Sequence, residues 1–161
     1  MKVILSLGSN IGDKKSYLKQ AISLISRKGL LSNIISSSFY ETEPVGFLKQ
    51  DWFMNMVISG ECIISPLELF DELKSIELDI GRINREKWHE REIDIDIIIF
   101  GNKVINSEIL TIPHQRFQER KFVLLPLSEI EPDLINPVNK IKVSDLLECC
   151  SDTSTVRKIN S

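Results

Sequence analysis

EIDIDIIIF, residues 92–100, decides how the chain folds. A run so rich in isoleucine reads as a strand, yet Asp94 and Asp96 interrupt it one residue apart. Side chains alternate along a strand, which puts Asp94, Asp96 and Ile98 on one face and Ile93, Ile95, Ile97 and Ile99 on the other. The isoleucine row is expected to meet helices. The two carboxylates then project from the uncovered face, ~7 Å apart at the rise of an extended chain. Burying a lone carboxylate costs several kcal/mol unless something pairs with it. A hard divalent ion, Mg²⁺ before others, suits two such oxygens, and so does the plain solvated face of an antiparallel sheet.

Outward from this strand the neighbours are basic. GRINREKWHER, residues 81–91, supplies Arg82, Arg85, Lys87 and Arg91 without strand or helix periodicity, as expected of a mobile loop. IPHQRFQERKF, residues 112–122, adds His114, Arg116, Arg120 and Lys121. Cations beside a carboxylate pair read either as surface ion pairs of small worth or as clamps for phosphate oxygens next to a metal. The second reading points to a polyphosphate.

The rest of the chain supplies the scaffold. A strand is expected over Lys2 to Leu7, followed by a helix in which Tyr17, Leu18, Ala21, Ile22 and Ile25 recur until Gly29. The intervening GSNIGD, residues 8–13, lacks the Gly-Lys-Ser/Thr ending of a Walker loop and reads as a turn in which Asn10 or Asp13 caps that helix. Strands follow over Leu31 to Glu41 and Phe53 to Cys62. Ser65-Pro66-Leu67-Glu68 is a capping box with proline at the first helical position, and the helix it opens carries Leu69, Leu73, Ile76 and Ile80 up to Gly81. The order β-α-β-β-α-β is the ferredoxin-like α+β pattern, an antiparallel sheet with helices on one face. Further C-terminal helices, over Phe122 to Ile130 and Ser144 to Cys149, are placed to wall part of the open face.

Composition narrows the field. The chain has 161 residues, 42% hydrophobic and 27% charged, within the range of one domain with a real core, so a single domain over 1–161 is expected. A net charge of −3 offers no basic face for nucleic acid or anionic lipid. No stretch nears the ~20 apolar residues of a membrane helix. Cys62, Cys149 and Cys150, with His89 and His114 as the two histidines, form no zinc set or disulfide framework, so a reduced, cytoplasmic chain is expected.

An ordered series of motifs resembles one family along nearly the whole chain: LGSNIGD at 7–13, SSFYETEPVG at 37–46, FMN at 53–55, GR at 81, REIDIDIIIFG at 91–101 and IPHQRFQERKFVLLPL at 112–127. That family is 6-hydroxymethyl-7,8-dihydropterin pyrophosphokinase. The resemblance implies the ferredoxin-like fold and transfer of pyrophosphate from ATP to a pterin hydroxymethyl group, with release of AMP, by a monomer acting on small molecules. It implies that Asp94 and Asp96 hold two Mg²⁺ ions and that Arg82 and Arg91 meet the triphosphate. His114, Arg120, Ile97, Thr111 and the loop aromatic Trp88 match nucleotide-site positions, and Glu77 is expected nearby. Asn55, Phe53, Phe122, Thr42 and Val45 match the pterin site, with the two phenylalanines sandwiching the ring. Asn84, His89-Glu90, Ile109 and Gln115 depart from the common pattern, and Arg85 is the candidate to replace a phosphate contact that Asn84 lacks. A two-metal nuclease or nucleotidyltransferase shares the aspartates and basic loops, and a non-catalytic ferredoxin-like module shares the fold.

Overall fold

The computed structural model describes residues 1–44 and 49–160. Five pieces of strand build the sheet's centre: β1 (Lys2–Ser9), β2 (Ser32–Ser36), β3 (Phe39–Thr42), β4 (Phe53–Glu61) and β5 (Asp94–Phe100). β1 is buried along nearly its whole length because it lies between β4 and β5, antiparallel to both. β2 and β3 are two halves of the strand expected over Leu31 to Glu41, broken at Ser37-Ser38 and both paired to β4. A strand with no counterpart in the sequence reading, β8 (Val156–Ile159), joins the outer edge of β3. A small hairpin of β6 (Ile105–Asn106) and β7 (Thr111–Ile112) was likewise unanticipated.

α1 (Lys14–Arg27) and α2 (Pro66–Ile80) cover one face. Asp13, not Asn10, caps α1 by accepting the Ser16 amide at 3.1 Å. Both halves of the Ser65–Glu68 capping box form, and Gly81 ends α2 at φ 111°, a left-handed value that glycine adopts without a Cβ penalty. Under these helices lie Val3, Leu5, Leu7, Ile93, Ile95 and Ile97. α3 (Lys121–Ile130) and α4 (Val143–Glu148) cover part of the other face over Ile4, Val57, Ile98 and Ile99. Helices therefore lie on both faces, with α3 and α4 walling part of the second as expected of the C-terminal helices. Among the described residues no helix is long and apolar enough to cross a membrane, and the three cysteines carry free thiols.

The alternation expected along residues 92–100 holds through Ile98 and breaks at Ile99. The register between β1 and β5 slips between Ile4 and Leu5, where Leu5 faces Ile97 but Ile4 faces Ile99. One extra residue is thus accommodated at Ile98, and a bulge of this kind moves every later side chain to the opposite face. Ile99 consequently joins Ile98 beneath α3, and Phe100 takes the place under α1 and α2 expected for Ile99.

Candidate active site

α3 and α4 leave one end of their sheet face open, and Asp94 and Asp96 project there. They line a cavity of about 280 Å³ with Thr42, Phe53, Asn55, Trp88, Arg91, Arg120 and Phe122. With Ser6 and Gly8 of β1 also on its wall, four strands, the loop after α2 and the start of α3 converge on one volume. Thr111 and His114 lie beyond its wall, and Ile97 packs its side chain into the core under α1 and α2. Val45 lies outside the described residues.

The opening pair of carboxylates meets two different fates. Asp94 is held by Arg82 at 3.1 Å and Arg91 at 2.8 Å. Asp96 has no hydrogen bond or ion pair among the described residues. Burial first, then the charge of Asp94, pushes its carboxyl well above the usual range, while Lys74 and Arg120 pull the other way. A carboxylate left in this state gains most from a cation supplied by a ligand. Among the described residues no group of three or more His, Cys, Asp or Glu side chains gathers as a metal cage. Two carboxylates that leave most of an octahedral shell to phosphate oxygens and water fit Mg²⁺, which keeps waters and binds through one or two carboxylates.

Glu77 anchors the arginine. Buried in α2 at 2% exposure, it accepts the Ile95 amide at 2.7 Å, the Lys74 ammonium at 3.1 Å and Arg82 at 2.7 Å. It therefore ties α2 to β5 beside both aspartates. The stripe of α2 locates Glu77 near the core, but no pattern reveals its partners.

The 81–91 loop is organised by two acceptors. Glu92, 7% exposed, accepts the Ile83 amide at 3.1 Å and Arg85 at 2.9 Å. Arg85 is thus paired with Glu92 and is not among the residues that line the cavity. The Arg85 hydrogen bond, outweighing burial, holds the Glu92 carboxyl down to about 2. The folded value lies below the ordinary 4.5, so this stabilisation is complete above about pH 4.5 and is lost as pH falls toward 2. Urea titrations are expected to show wild type losing ~2 kcal/mol more than Glu92→Gln across that interval. Parallel acid limbs would remove Glu92 as the loop's pH-sensitive anchor.

Asn10 is the second acceptor. Its Oδ1 takes the Arg91 amide at 2.9 Å, and its Nδ2 donates to Gln50 Oε1 at 2.7 Å. Gln50 in turn donates to the Trp88 carbonyl at 2.6 Å. Trp88 sits at φ 72°, a left-handed conformation that costs a bulky residue ~1–2 kcal/mol and that these contacts help to hold.

On the other wall, Asn55 is 4% exposed and donates to Thr42 Oγ1 at 2.9 Å. This leaves a carbonyl and one N–H for a ligand with an amide edge. Gly8 is its partner across β1 and β4, and a Cβ there would come within 2.6 Å of Asn55 Oδ1. Only glycine lets that side chain lie where it does. Phe53 and Phe122 supply aromatic surface, and each has a guanidinium over its ring, Arg91 at 5.9 Å and Arg120 at 5.7 Å to the centroid.

His114 is neutral at pH 7, because burial, then the Arg120 charge, takes its pKa down to about 4. Its Nδ1 accepts the Arg116 amide at 3.3 Å, leaving Nε2–H as a donor. The sequence reading gave no role to Ser6, Glu43, Glu119, Asp152 and Ser154, which line the cavity together with Arg116. Arg116 stood among the downstream cations, and Glu43 and Glu119 fall within the motifs at 37–46 and 112–127, but no pattern marks Ser6, Asp152 or Ser154.

A cavity that joins twin carboxylates and guanidiniums to aromatic faces and an amide defines a transferase that handles a polyphosphate and a flat, hydrogen-bonding acceptor. Comparison with known proteins gives that class a family. The model of the 7,8-dihydro-6-hydroxymethylpterin-pyrophosphokinase family matches residues 4–132, and the chain belongs to that family. A 2-amino-4-hydroxy-6-hydroxymethyldihydropteridine pyrophosphokinase of Haemophilus influenzae is 37% identical over 95% of both chains. The Bacillus subtilis protein of the same name is 41% identical over 78% of this chain and 75% of its own. A crystal structure of an HPPK-DHPS in complex with substrates superposes with TM-score 0.71 and 17% identity over 92% of this chain, which supports the fold. The present chain spans 42% of that longer one.

Proposed function

We propose that residues 1–161 act as one ATP-dependent pyrophosphokinase domain that transfers the terminal pyrophosphoryl group of ATP to the hydroxymethyl oxygen of 6-hydroxymethyl-7,8-dihydropterin, releasing AMP, in folate biosynthesis. The observation that carries this is a single cavity lined at once by Asp94, Asp96 and Arg91 and by Asn55, Phe53 and Phe122. Both halves of a two-substrate reaction fit there.

In this reading Asp94 and Asp96 would hold two Mg²⁺ ions, which would supply positive charge against the phosphate oxygens. Arg82 and Arg91 exchange Asp94 for triphosphate oxygens, and Arg120 approaches the same oxygens from α3. His114 offers its Nε2–H to the nucleotide, and Thr111 and the backbone at Ile97 complete that side. Trp88 covers the cavity and excludes water, the competing nucleophile. Asn55 reads the pterin amide edge, Phe53 and Phe122 hold the ring, and Thr42 and Val45 close its pocket. Three free thiols favour a reducing, cytoplasmic setting, and the reading needs one protomer.

The test is incubation with ATP, Mg²⁺ and the hydroxymethyl dihydropterin, with both products identified by mass. AMP and the pterin diphosphate are expected, and ADP would overturn the reading. Asn55→Ala is expected to weaken pterin binding ~10–100-fold, since it deletes a buried hydrogen-bonding edge, with ATP affinity within ~3-fold of wild type. Unchanged pterin affinity in calorimetry would withdraw that role.

A further inference from the structure

α3 begins beside the cavity without a cap of its own: Arg120, at the capping position, makes no side-chain hydrogen bond to the helix. The acceptor arrives from the far end of the chain. Asp152 Oδ2 takes the Lys121 amide at 3.0 Å, while its Oδ1 takes the amide and hydroxyl of Ser154 at 2.9 and 2.6 Å. Burial would raise the pKa of the Asp152 carboxyl, but the bonds from Ser154 and Lys121 outweigh it and keep the group ionised. The residues on either side of Lys121 are Arg120 and Phe122, both on the cavity wall.

The same segment is fastened to the opposite wall. Thr155 donates its amide to Glu43 Oε1 at 2.9 Å, and β8 continues as a ladder in which Val156 faces Thr42. Thr42 is the residue to which Asn55 donates. Residues 152–156 therefore bridge β3, which backs Asn55, and the first turn of α3, which carries Phe122. This bridge lies outside residues 4–132, the stretch matched by the family model.

We propose that Asp152 is a positioning residue for the acceptor substrate: by capping α3 from the C-terminal segment it sets Phe122 against Phe53 and so fixes the slot for a flat heteroaromatic ring. This rests on the pterin reading above. Without the carboxylate, the Lys121 amide loses its partner and the first turn of α3 loosens, which a capping residue normally prevents. A loosened Phe122 no longer offers a preformed face, and the ligand bears the cost of ordering it.

The experiment is calorimetric titration of 6-hydroxymethyl-7,8-dihydropterin into wild type, Asp152→Ala, Asp152→Ser and, as a control remote from the cavity, Asp133→Ala. All are saturated with Mg²⁺ and a non-hydrolysable ATP analogue. Asp152→Ala is expected to lose ~5–10-fold in pterin affinity. Serine, a competent cap, is expected to recover at least half of that loss on a logarithmic scale, and the control to bind as wild type. Melting temperatures separate local from global effects: a merely structural Asp152 lowers the melting temperature of Asp152→Ala and leaves its pterin affinity at the wild-type value, which overturns the inference. Loss of affinity that serine fails to recover also overturns it. Failure of wild type itself to bind the pterin sinks the functional reading instead, so the two failures are distinguishable.

Discussion

Asp96→Asn is expected to lower turnover by on the order of 10³-fold at saturating Mg²⁺ while leaving the fold intact. Both halves follow from its surroundings. Asp96 receives no hydrogen bond from the described residues, so an amide removes no internal partner. Burial and the neighbouring Asp94 already disfavour its charge, so the neutral side chain relieves repulsion, and the urea midpoint is expected to hold or rise. The catalytic half is the larger. An amide oxygen is a weaker ligand for a hard cation than a carboxylate, and charge building on the transferring group loses its closest compensation. Near-normal turnover would show that the cation, if it is held at all, is held elsewhere.

Glu77→Ala is expected to be the most destabilising single change near the site, at ~2–4 kcal/mol by urea denaturation. The carboxylate receives three donors, and its loss leaves the buried Ile95 amide unpaired and strips Lys74 and Arg82 of their shared anion. Lys74 and Arg82 keep some contact with water, at 35% and 24% side-chain exposure, which holds the cost below that of a fully buried pair. Against a typical total stability of 5–15 kcal/mol this is a large share. Activity of the surviving folded fraction is expected to fall as well, because Arg82 loses one of its two anchors. A midpoint within ~0.5 kcal/mol of wild type would mean that Lys74 and Arg82 find other partners.

Much of the scaffold was legible because it depends on local rules. The capping box at Ser65 and the stop at Gly81 need only neighbours in sequence, and both form as read. Isoleucine alternation from Ile93 to Ile97 follows from extended-chain geometry and placed Asp94 and Asp96 on one face. The register slip at Ile98 was not legible, since it depends on which residues of β1 lie opposite. β8 escaped for a related reason: Val156, Arg157, Lys158 and Ile159 lack clean alternation, and the strand exists because β3 offers an open edge.

The site divides in the same way. Residue types announced a polyanion and a cation, and the motif series placed Thr42, Phe53, Asn55, Trp88, Arg91, Arg120 and Phe122, which the structure brings to one cavity. Partnerships were invisible. Arg82 and Arg91 were read as phosphate clamps, yet here they grip Asp94, and Arg85 belongs to Glu92. Long-range hydrogen bonds, such as those that make Asn10 a hub and Asp152 a cap, leave no periodic trace in a single sequence.

The slip at Ile98 gives β5 two trades. Ahead of it, every second side chain faces the cavity; behind it, consecutive isoleucines are spent on gripping α3. The carboxylates are thereby mounted on a strand bolted down at its far end, a stiff arm with an acidic tip. Under the proposed function, rearrangement during a catalytic cycle falls to the arginines and the loop that carries them, with the acids as the stationary jaw of the vice.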